Sequence, residues 1–277
     1  MLDKIRSAGK PLGEYVEDKI YYGVKTGFNE AFIIDGDKRD ELIKKDPGSA
    51  DIIKPFVIGD DVRRYRIDFC ERYIILARTG IEISKYPHIL DHLSRFQKQL
   101  EKRWDKGKFW WELRPCDYYA EFEKPKIVWP EIAKESRFAW EDKKYFYNKT
   151  CFIMPSMDFY LLGLLNSKLI WYFLQRTCPV LGDPDKRGRL TQQWVYIRQI
   201  PVKVVSPKAA NQSYVFIQSK VQEALDLQER LSSLKAESDR VITERQIKAI
   251  DRQIDEQVYD LYGLSKEEIA VIEEPAA

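Results

Sequence analysis

A chain of 277 residues is long enough for one large domain or two of medium size. With 44% hydrophobic and 13% aromatic residues it can bury a sizeable core, which excludes a disordered or fibrous protein. It carries 46 Lys and Arg against 44 Asp and Glu, a net charge of +2 that is unevenly spread: residues 1–210 hold 38 basic and 30 acidic side chains, residues 211–277 hold 8 and 14. A basic body followed by an acidic segment permits a polyanionic partner without demanding one. No run of about eighteen apolar residues is present to span a bilayer, and the first residues lack the apolar stretch of a secretion signal. Cys70, Cys116, Cys151 and Cys178 form no CxxC pair, so reduced thiols in a cytosolic protein are expected rather than a zinc ribbon.

Along the chain, residues 20–24 alternate as a strand does, and Gly23, Gly27 and Asn29 punctuate a turn before a second short strand at 31–34. Helical spacing over 38–46 stops at Asp46-Pro47-Gly48-Ser49. The β-branched runs 52–58 and 73–77 predict strands. One helix is expected over 88–103, led in by Tyr86-Pro87, with Ile89, Leu93, Phe96 and Leu100 on one face. Between Trp104 and Phe173 lie 19 aromatic residues. Strands are expected there at 126–129 and 151–154, then a largely buried helix at 160–174. A strand at 194–200 follows, and Pro201 closes the body.

The last third differs in kind. Residues 213–234 set Ile217, Val221, Ala224, Leu227, Leu231 and Leu234 on one helical stripe. Residues 241–261 repeat the device with Ile247, Ile250, Ile254, Val258 and Leu261, so 235–240 turns or interrupts a helical pair. Gly263 suits the position after a helix end, and Ser265-Lys266-Glu267-Glu268 opens a short final helix with a capping box.

No complete active site is legible. His88 and His92 stand at i, i+4, but residue 89 is Ile where a metalloprotease needs Glu, so a solvated or capping pair is expected. Ser7-Ala8-Gly9-Lys10 and Lys25-Thr26-Gly27 imitate SxxK and KTG pieces that are too close together, without an SDN element. Neither a P-loop, an FxGxG loop for S-adenosylmethionine nor an Asn-Pro-Pro-aromatic motif is present. Asp3, Glu17 and Lys19 meet the loosest spacing of a small Mg²⁺-dependent nuclease, a match that a chain with 44 acidic residues produces by chance.

What stands out is basic residues interleaved with aromatic and amide groups. Lys25, Thr26 and Asn29 share one turn. Arg63-Arg64-Tyr65-Arg66 precedes Arg78. Trp110-Trp111-Glu112-Leu113-Arg114 and Lys124-Pro125-Lys126 lie in the aromatic region, and Lys186-Arg187-Gly188-Arg189 closes the body. Such residues neutralise phosphates and make bidentate contacts to base edges. The plainer expectation for Arg63–Arg66 is pairing with Asp60, Asp61 and Asp68, and for the tryptophans a place in the core. Adjacent residues of a strand point opposite ways, so at least one of Trp110 and Trp111 should be exposed or interfacial.

The segment Tyr21-Tyr22-Gly23-Val24-Lys25-Thr26-Gly27-Phe28-Asn29-Glu30-Ala31-Phe32 carries a resemblance. So do Ile53-Lys54-Pro55-Phe56, Gly59-Asp60-Asp61-Val62-Arg63-Arg64-Tyr65, Tyr86-Pro87 and Trp110-Trp111-Glu112-Leu113. Phe122-Glu123-Lys124-Pro125-Lys126-Ile127, Leu161-Leu162-Gly163-Leu164-Leu165-Asn166-Ser167-Lys168 and Gln199-Ile200-Pro201 complete it. In this order, over about 12–270, they resemble the TaqI-like C-terminal specificity domain, the target-recognition region of adenine-specific DNA methyltransferases and typical of type IIG restriction-modification enzymes. Residues 162–167 then belong to a packing helix. The chain departs from the family at Gly182-Asp183-Pro184-Asp185-Lys186-Arg187-Gly188-Arg189, where a Gly-Gly followed by aromatic and basic residues is usual.

The resulting expectation is an α+β fold: a mixed β-sheet target-recognition body with packed helices over 10–205 and a C-terminal helical hairpin or spacer over 210–270. The resemblance implies sequence-specific binding of double-stranded DNA, presenting an adenine to methyltransferase and nuclease domains that lie in cis or trans. This chain would then have no turnover and no cofactor, with S-adenosylmethionine and Mg²⁺ belonging to those other domains. Met1-Leu2-Asp3-Lys4 reads as a start inside a longer protein, of the bacterial or archaeal cytoplasm. Candidate DNA contacts are Lys25, Thr26, Asn29, Arg63, Arg64, Arg78, Lys124, Arg187 and Arg189, chosen by chemistry. The hairpin is expected to dock the methyltransferase domain, so that removing 210–277 spares the DNA contacts. The rivals are the nuclease and a protein-interaction module whose body does not grip DNA.

Overall fold

The computed structural model describes residues 1–182, 188–205 and 211–274. Two strands organise it: β6 (Lys126–Pro130) and β10 (Cys151–Pro155) pair antiparallel, with Trp129 opposite Phe152. β2 (Tyr21–Tyr22) flanks β10 and β8 (Ala139–Glu141) flanks β6. Nearly every residue of the inner pair is buried, and the two-residue period sends Ile127, Trp129, Phe152 and Met154 to one face. Val128, Cys151 and Ile153 go to the other. The sheet therefore separates two apolar cores.

The first core is helical. Against it pack α1 (Leu2–Ser7), α2 (Leu12–Tyr15), α7 (Phe159–Asn166), α8 (Lys168–Thr177) and α9 (Trp194–Ile197). The chain crosses its edge in β1 (Lys10–Pro11) paired with β13 (Pro201–Val202), and in a small sheet ordered β11 (Val180–Leu181), β12 (Arg189–Thr191), β7 (Ile132–Ala133). The second core lies under a mixed sheet ordered β3 (Ile33–Ile34), β5 (Tyr73–Ile75), β4 (Ile53–Val57), β9 (Phe146–Tyr147), in which only β4 and β9 run parallel. It is closed by α3 (Asn29–Phe32), α4 (Gly36–Lys45), α5 (Pro87–Ser94) and α6 (Gln97–Glu101). The expected mixed α+β architecture is what the chain adopts.

Four expected elements take another form. Residues 31–34 are not one strand: Ala31 and Phe32 are both fully buried, which a turn of helix allows and a half-exposed strand does not. The helix over 88–103 breaks at Arg95 and Phe96, where Phe96 turns to pack on Phe28 (5.9 Å) and on His92 (5.6 Å). The helix over 160–174 is two helices, because Ser167 adopts an extended backbone and its Oγ accepts from the Ile170 N–H at 3.3 Å, starting α8 anew. Residues 194–197 are helical rather than a strand, since Trp194, Ile197 and Ile200 recur every three residues on one buried side.

The C-terminal hairpin forms as its stripes predict, from α10 (Gln212–Ser233) and α11 (Glu237–Leu261), followed by α12 (Lys266–Glu273). Arg240 closes its turn by donating to the Leu231 and Leu234 carbonyls at 3.5 and 3.4 Å. Gly263 has φ +65°, and Ser265 with Glu268 makes the expected capping box. Ile217, Val221, Ala224, Ile250, Ile254 and Val258 enter the same core as the inner strands. α10 crosses α7 at Gly163, where an added Cβ would stand 2.6 Å from Ile217 Cγ2 and 3.0 Å from Val221 Cγ2. Removing 210–277 would therefore take these side chains out of the core that the inner strands share.

Polar bonds fix the hairpin's seat. Arg64 Nη2 lies 3.0 Å from Asp251 Oδ1, to which the buried Tyr65 hydroxyl donates at 3.1 Å. Asp255 Oδ1 accepts from the Lys168 N–H at 2.8 Å, at the positive end of α8. Burial raises both carboxyls, Asp255 to about 6. On the other face of the sheet, Lys126 Nζ sits 2.6 Å from Glu141 Oε2, and both side chains are buried. The Tyr147 hydroxyl donates to the same oxygen at 2.8 Å, while Lys126 also donates to the Phe122 and Lys124 carbonyls.

This packing has measurable consequences. Gly163→Ala forces α7 and α10 apart and should lower unfolding stability by about 1–3 kcal/mol in denaturant titration. A carboxyl raised from 3.8 to about 6 contributes stability that is present below pH 4 and is lost as pH climbs through 6. Ionised Asp255 thus costs on the order of 3 kcal/mol at pH 7. Asp255→Asn keeps an acceptor for Lys168, so its melting temperature should equal or exceed the parent's at pH 7, with the advantage shrinking toward pH 4.

Candidate nucleic-acid interface

The loop after α6 is built around one buried cation. Arg103, 7% exposed, donates all five of its N–H hydrogens to backbone carbonyls. Nε reaches Leu100 at 3.3 Å, Nη1 reaches Thr26 and Asp105 (3.3 Å to the latter), and Nη2 reaches Trp110 at 2.7 Å and Glu112 at 3.0 Å. Its guanidinium lies 4.6 Å from the Phe32 ring centroid. Burial lowers its pKa to about 10, so it stays charged at neutral pH. Arg103 thereby clasps two separate segments, the 25–29 turn and the 104–112 loop.

A second buried charge completes the frame. Glu112 is 1% exposed and accepts from the Gly80 N–H at 2.8 Å and the Phe109 N–H at 3.1 Å. Leu113 N–H donates to Ala77 and the Thr79 hydroxyl to Leu113, tying the loop to the end of the strand region after β5. Glycine is required at two close approaches. A Cβ at Gly107 would stand 2.4 Å from Glu112 Oε2, and Gly27, at φ +69°, faces Arg103 Cδ and Asp105 Cβ at 3.1 Å each.

The frame presents polar and aromatic side chains outward. Trp104 is fully exposed, and its carbonyl accepts from the Lys106 N–H at 3.0 Å. Phe109, 44% exposed, stacks on Trp111 at 4.6 Å and 6°. Trp110 meets Trp111 edge-on at 5.3 Å, and both are half-buried, in a turn rather than a strand. Lys102 and Lys108 are exposed beside them, and Arg114 pairs with Asp105 at 3.2 Å. A cleft of about 400 Å³ adjoins this surface, bounded by Lys25 and Arg114 with Tyr22, Tyr118 and Tyr119.

The candidate residues distribute unevenly about this surface. Lys25 and Asn29 are exposed on it, while Thr26 is buried and donates its hydroxyl to Asn29 Oδ1 at 2.5 Å, making it a strut of the turn. Arg78 is nearby, stacked 4.8 Å over Tyr119 and 3.6 Å from Glu123. Lys124 is exposed and paired with Glu121 at 2.6 Å. Arg63 and Arg64 are not among this group. They flank a tight turn in which Tyr65 (φ +66°) plugs the helical core, Arg63 pairs with Asp68 at 3.2 Å, and Arg64 seats the hairpin. Arg189 is exposed in the separate β11-β12-β7 sheet, and Arg187 lies outside the described residues.

Trp104, Arg103 and Glu112 are absent from the sequence-based candidates. The available signal is the alternation of Lys102, Arg103, Lys106 and Lys108 with Trp104, Phe109 and Trp110, within ten residues of a helix end. The other constellations go elsewhere. His92 is buried and donates from Nε2 to the Ala31 carbonyl at 2.9 Å, its pKa lowered by burial, whereas His88 faces Asp91 at 3.9 Å. Glu17 pairs with Lys19 at 2.5 Å, and Asp3 lies 3.8 Å from Arg6. Among the described residues no three His, Cys, Asp or Glu side chains are grouped to hold a metal ion.

Comparison with known proteins agrees with this picture. Among solved structures, the chain matches the type IIL restriction-modification enzyme MmeI, determined in complex with DNA, with TM-score 0.63 and 17% identity over 92% of this chain and 34% of that one. It also matches the type IIG restriction endonuclease BpuSI, with TM-score 0.46 and 13% identity over 94% of this chain and 32% of that one. The chain therefore spans about a third of the length of these proteins, and the first match shows a shared fold. The family model of the TaqI-like C-terminal specificity domain matches residues 54–202, more than half of the chain and including the whole Arg103 loop. The protein belongs to the TaqI-like C-terminal specificity domain family.

Proposed function

We propose that this chain reads a specific sequence in double-stranded DNA for the catalytic domains of a restriction-modification enzyme. The observation that carries the reading is the Arg103 clasp. One buried guanidinium holds two chain segments that together expose Lys25, Asn29, Lys102, Trp104 and Lys108. Recognition demands cations for phosphates together with amide and aromatic groups for bases, on a frame that does not reorganise on binding. Membership of a specificity-domain family supports the same reading, as does a fold shared with an enzyme solved on DNA.

In this proposal residues 10–205 form the recognition body and the hairpin over 210–270 fixes its position against methyltransferase and nuclease domains in cis or trans. Those domains methylate the N6 of an adenine that this body aligns, and they hold S-adenosylmethionine and Mg²⁺. The parent is an adenine-specific enzyme of type IIG organisation in the bacterial or archaeal cytoplasm. The ion pairs of Arg63 and Arg64 favour a structural role for those two arginines. Lys25, Asn29 and Arg78 remain the candidates that share a surface with the aromatic loop.

Selection from randomised duplex DNA with the purified chain at two salt concentrations, followed by sequencing, tests the reading. A short enriched motif with steep salt dependence is expected, and enrichment of nothing even at low salt would overturn it. Lys25→Ala and Lys102→Ala should each flatten the slope of log affinity against log salt by about 0.9, the yield of one phosphate contact. Lys220→Ala, on the hairpin, should leave the slope unchanged. Arg103→Met removes five hydrogen bonds to main-chain carbonyls, two of which (Leu100 and Glu112) keep a backbone donor, and should cost on the order of 3 kcal/mol in stability. It should also quicken amide exchange across 104–112 and abolish enrichment of the motif.

A further inference from the structure

Seven tryptophans occur in the chain, and six of them are buried or half-buried. Trp104 alone is completely exposed. An indole held wholly in water forgoes a few kcal/mol of burial unless a partner covers it. Its surroundings show that this is not a loose tip. Arg103 next to it is bound by five carbonyls, the Trp104 carbonyl accepts from the Lys106 N–H in a tight turn, and Lys106 Nζ donates back to the Glu101 carbonyl at the end of α6. The backbone that carries Trp104 is therefore fixed, and the ring projects from it.

The chemistry around the ring selects its partner. Lys102, Lys106 and Lys108 alternate with it along the loop, and Lys25 stands on the clasped turn opposite. Of the acids beside it in sequence, Asp105 is paired with Arg114 and Glu101 accepts from Gln97 Nε2 at 2.7 Å. The other exposed ring of the loop, Phe109, stacks on Trp111 and keeps 44% of its surface open, so the loop offers aromatic rings set among lysines rather than aliphatic side chains. A partner that is anionic outside and offers flat aromatic faces within fits the arrangement: nucleic-acid bases framed by phosphates.

Resting on the recognition reading above, we propose that Trp104 stacks on a base of the bound duplex at a step that opens to admit it, while the flanking lysines hold the phosphates on either side. The ring adds affinity through stacking, which carries no counterion release, so its contribution is separable from that of the lysines by salt dependence.

The test compares the full chain with Trp104→Ala and Trp104→Phe on the duplex most enriched by the parent chain. Affinity is measured by fluorescence anisotropy across a salt series, with melting temperature as a control. Trp104→Ala should bind about 10- to 100-fold more weakly. Its salt slope and melting temperature should be unchanged, and Trp104→Phe should recover most of the loss. Trp104→Ala binding as tightly as the parent would overturn the stacking role alone and leave the recognition reading standing. A defect confined to association with the catalytic domains, with DNA affinity intact, would overturn the stacking role in the same way. Failure of the parent to enrich any duplex would overturn both.

Discussion

The structure depends on a steric fact about two strands. β6 and β10 are covered on both faces, so their side chains must satisfy two cores at once, and the two-residue period of the strand assigns each residue to one of them. Trp129 and Phe152, opposite each other in register and stacked at 5.5 Å, anchor the helical side. Val128 and Ile153 anchor the side that carries the Arg103 loop. A slip of one residue would exchange the two sets and place Lys126 in the helical core, away from Glu141 and Tyr147. The buried Lys126–Glu141 pair is costly to desolvate, and its natural role is to fix this register rather than to add stability.

The same device recurs wherever the chain must be held in one arrangement. Arg64 and Asp251 locate the hairpin, Arg103 locates the outer loop, and Glu112 ties that loop to the region beyond β5. Each is a buried or half-buried charged group with at least one partner far away along the chain: Asp251 for Arg64, Thr26 for Arg103 and Gly80 for Glu112. Apolar burial alone would tolerate small rotations of a helical hairpin or a surface loop, because its energy is non-directional. Hydrogen bonds to a buried charge are directional and expensive to leave unmade. The two faces of the central sheet thus carry separate tasks, a helical base on one and a clasped, outward-facing loop on the other.

How much of this is legible in the sequence follows from which interactions are local. The hairpin stripes at Ile217–Leu231 spacing and the capping box at Ser265 are local patterns, and the structure matches them. The runs around Ile127 and Ile153 also read as strands, because burial on both faces leaves a continuous apolar signature. The helix ends at Phe96 and Ser167 do not, since a ring contact with Phe28 and a single serine oxygen decide them against favourable spacing. Among the candidate contacts, Lys25 and Asn29 fall on the aromatic surface, whereas Arg64 turns inward. Sequence shows that an arginine is present, but its direction is set by Asp251, nearly two hundred residues away. Trp104 is hidden for the converse reason: its lack of tertiary contacts has no signature along the chain.

The Arg103 clasp has a consequence for how such a surface diversifies. Every bond Arg103 makes in the loop goes to a main-chain oxygen, which all residue types possess, so the clasp is indifferent to the side chains it holds up. Beyond Gly27, held at φ +69°, and Gly107, where the Glu112 and Thr79 side chains leave no room for a Cβ, the outward positions are free to change identity without loosening the frame. Conformation and specificity are thereby written in different parts of the same residues, the one in backbone atoms and the other in side chains. If the surface reads DNA as proposed above, a lineage can drift from one preferred DNA text to another through single substitutions, each intermediate still folded.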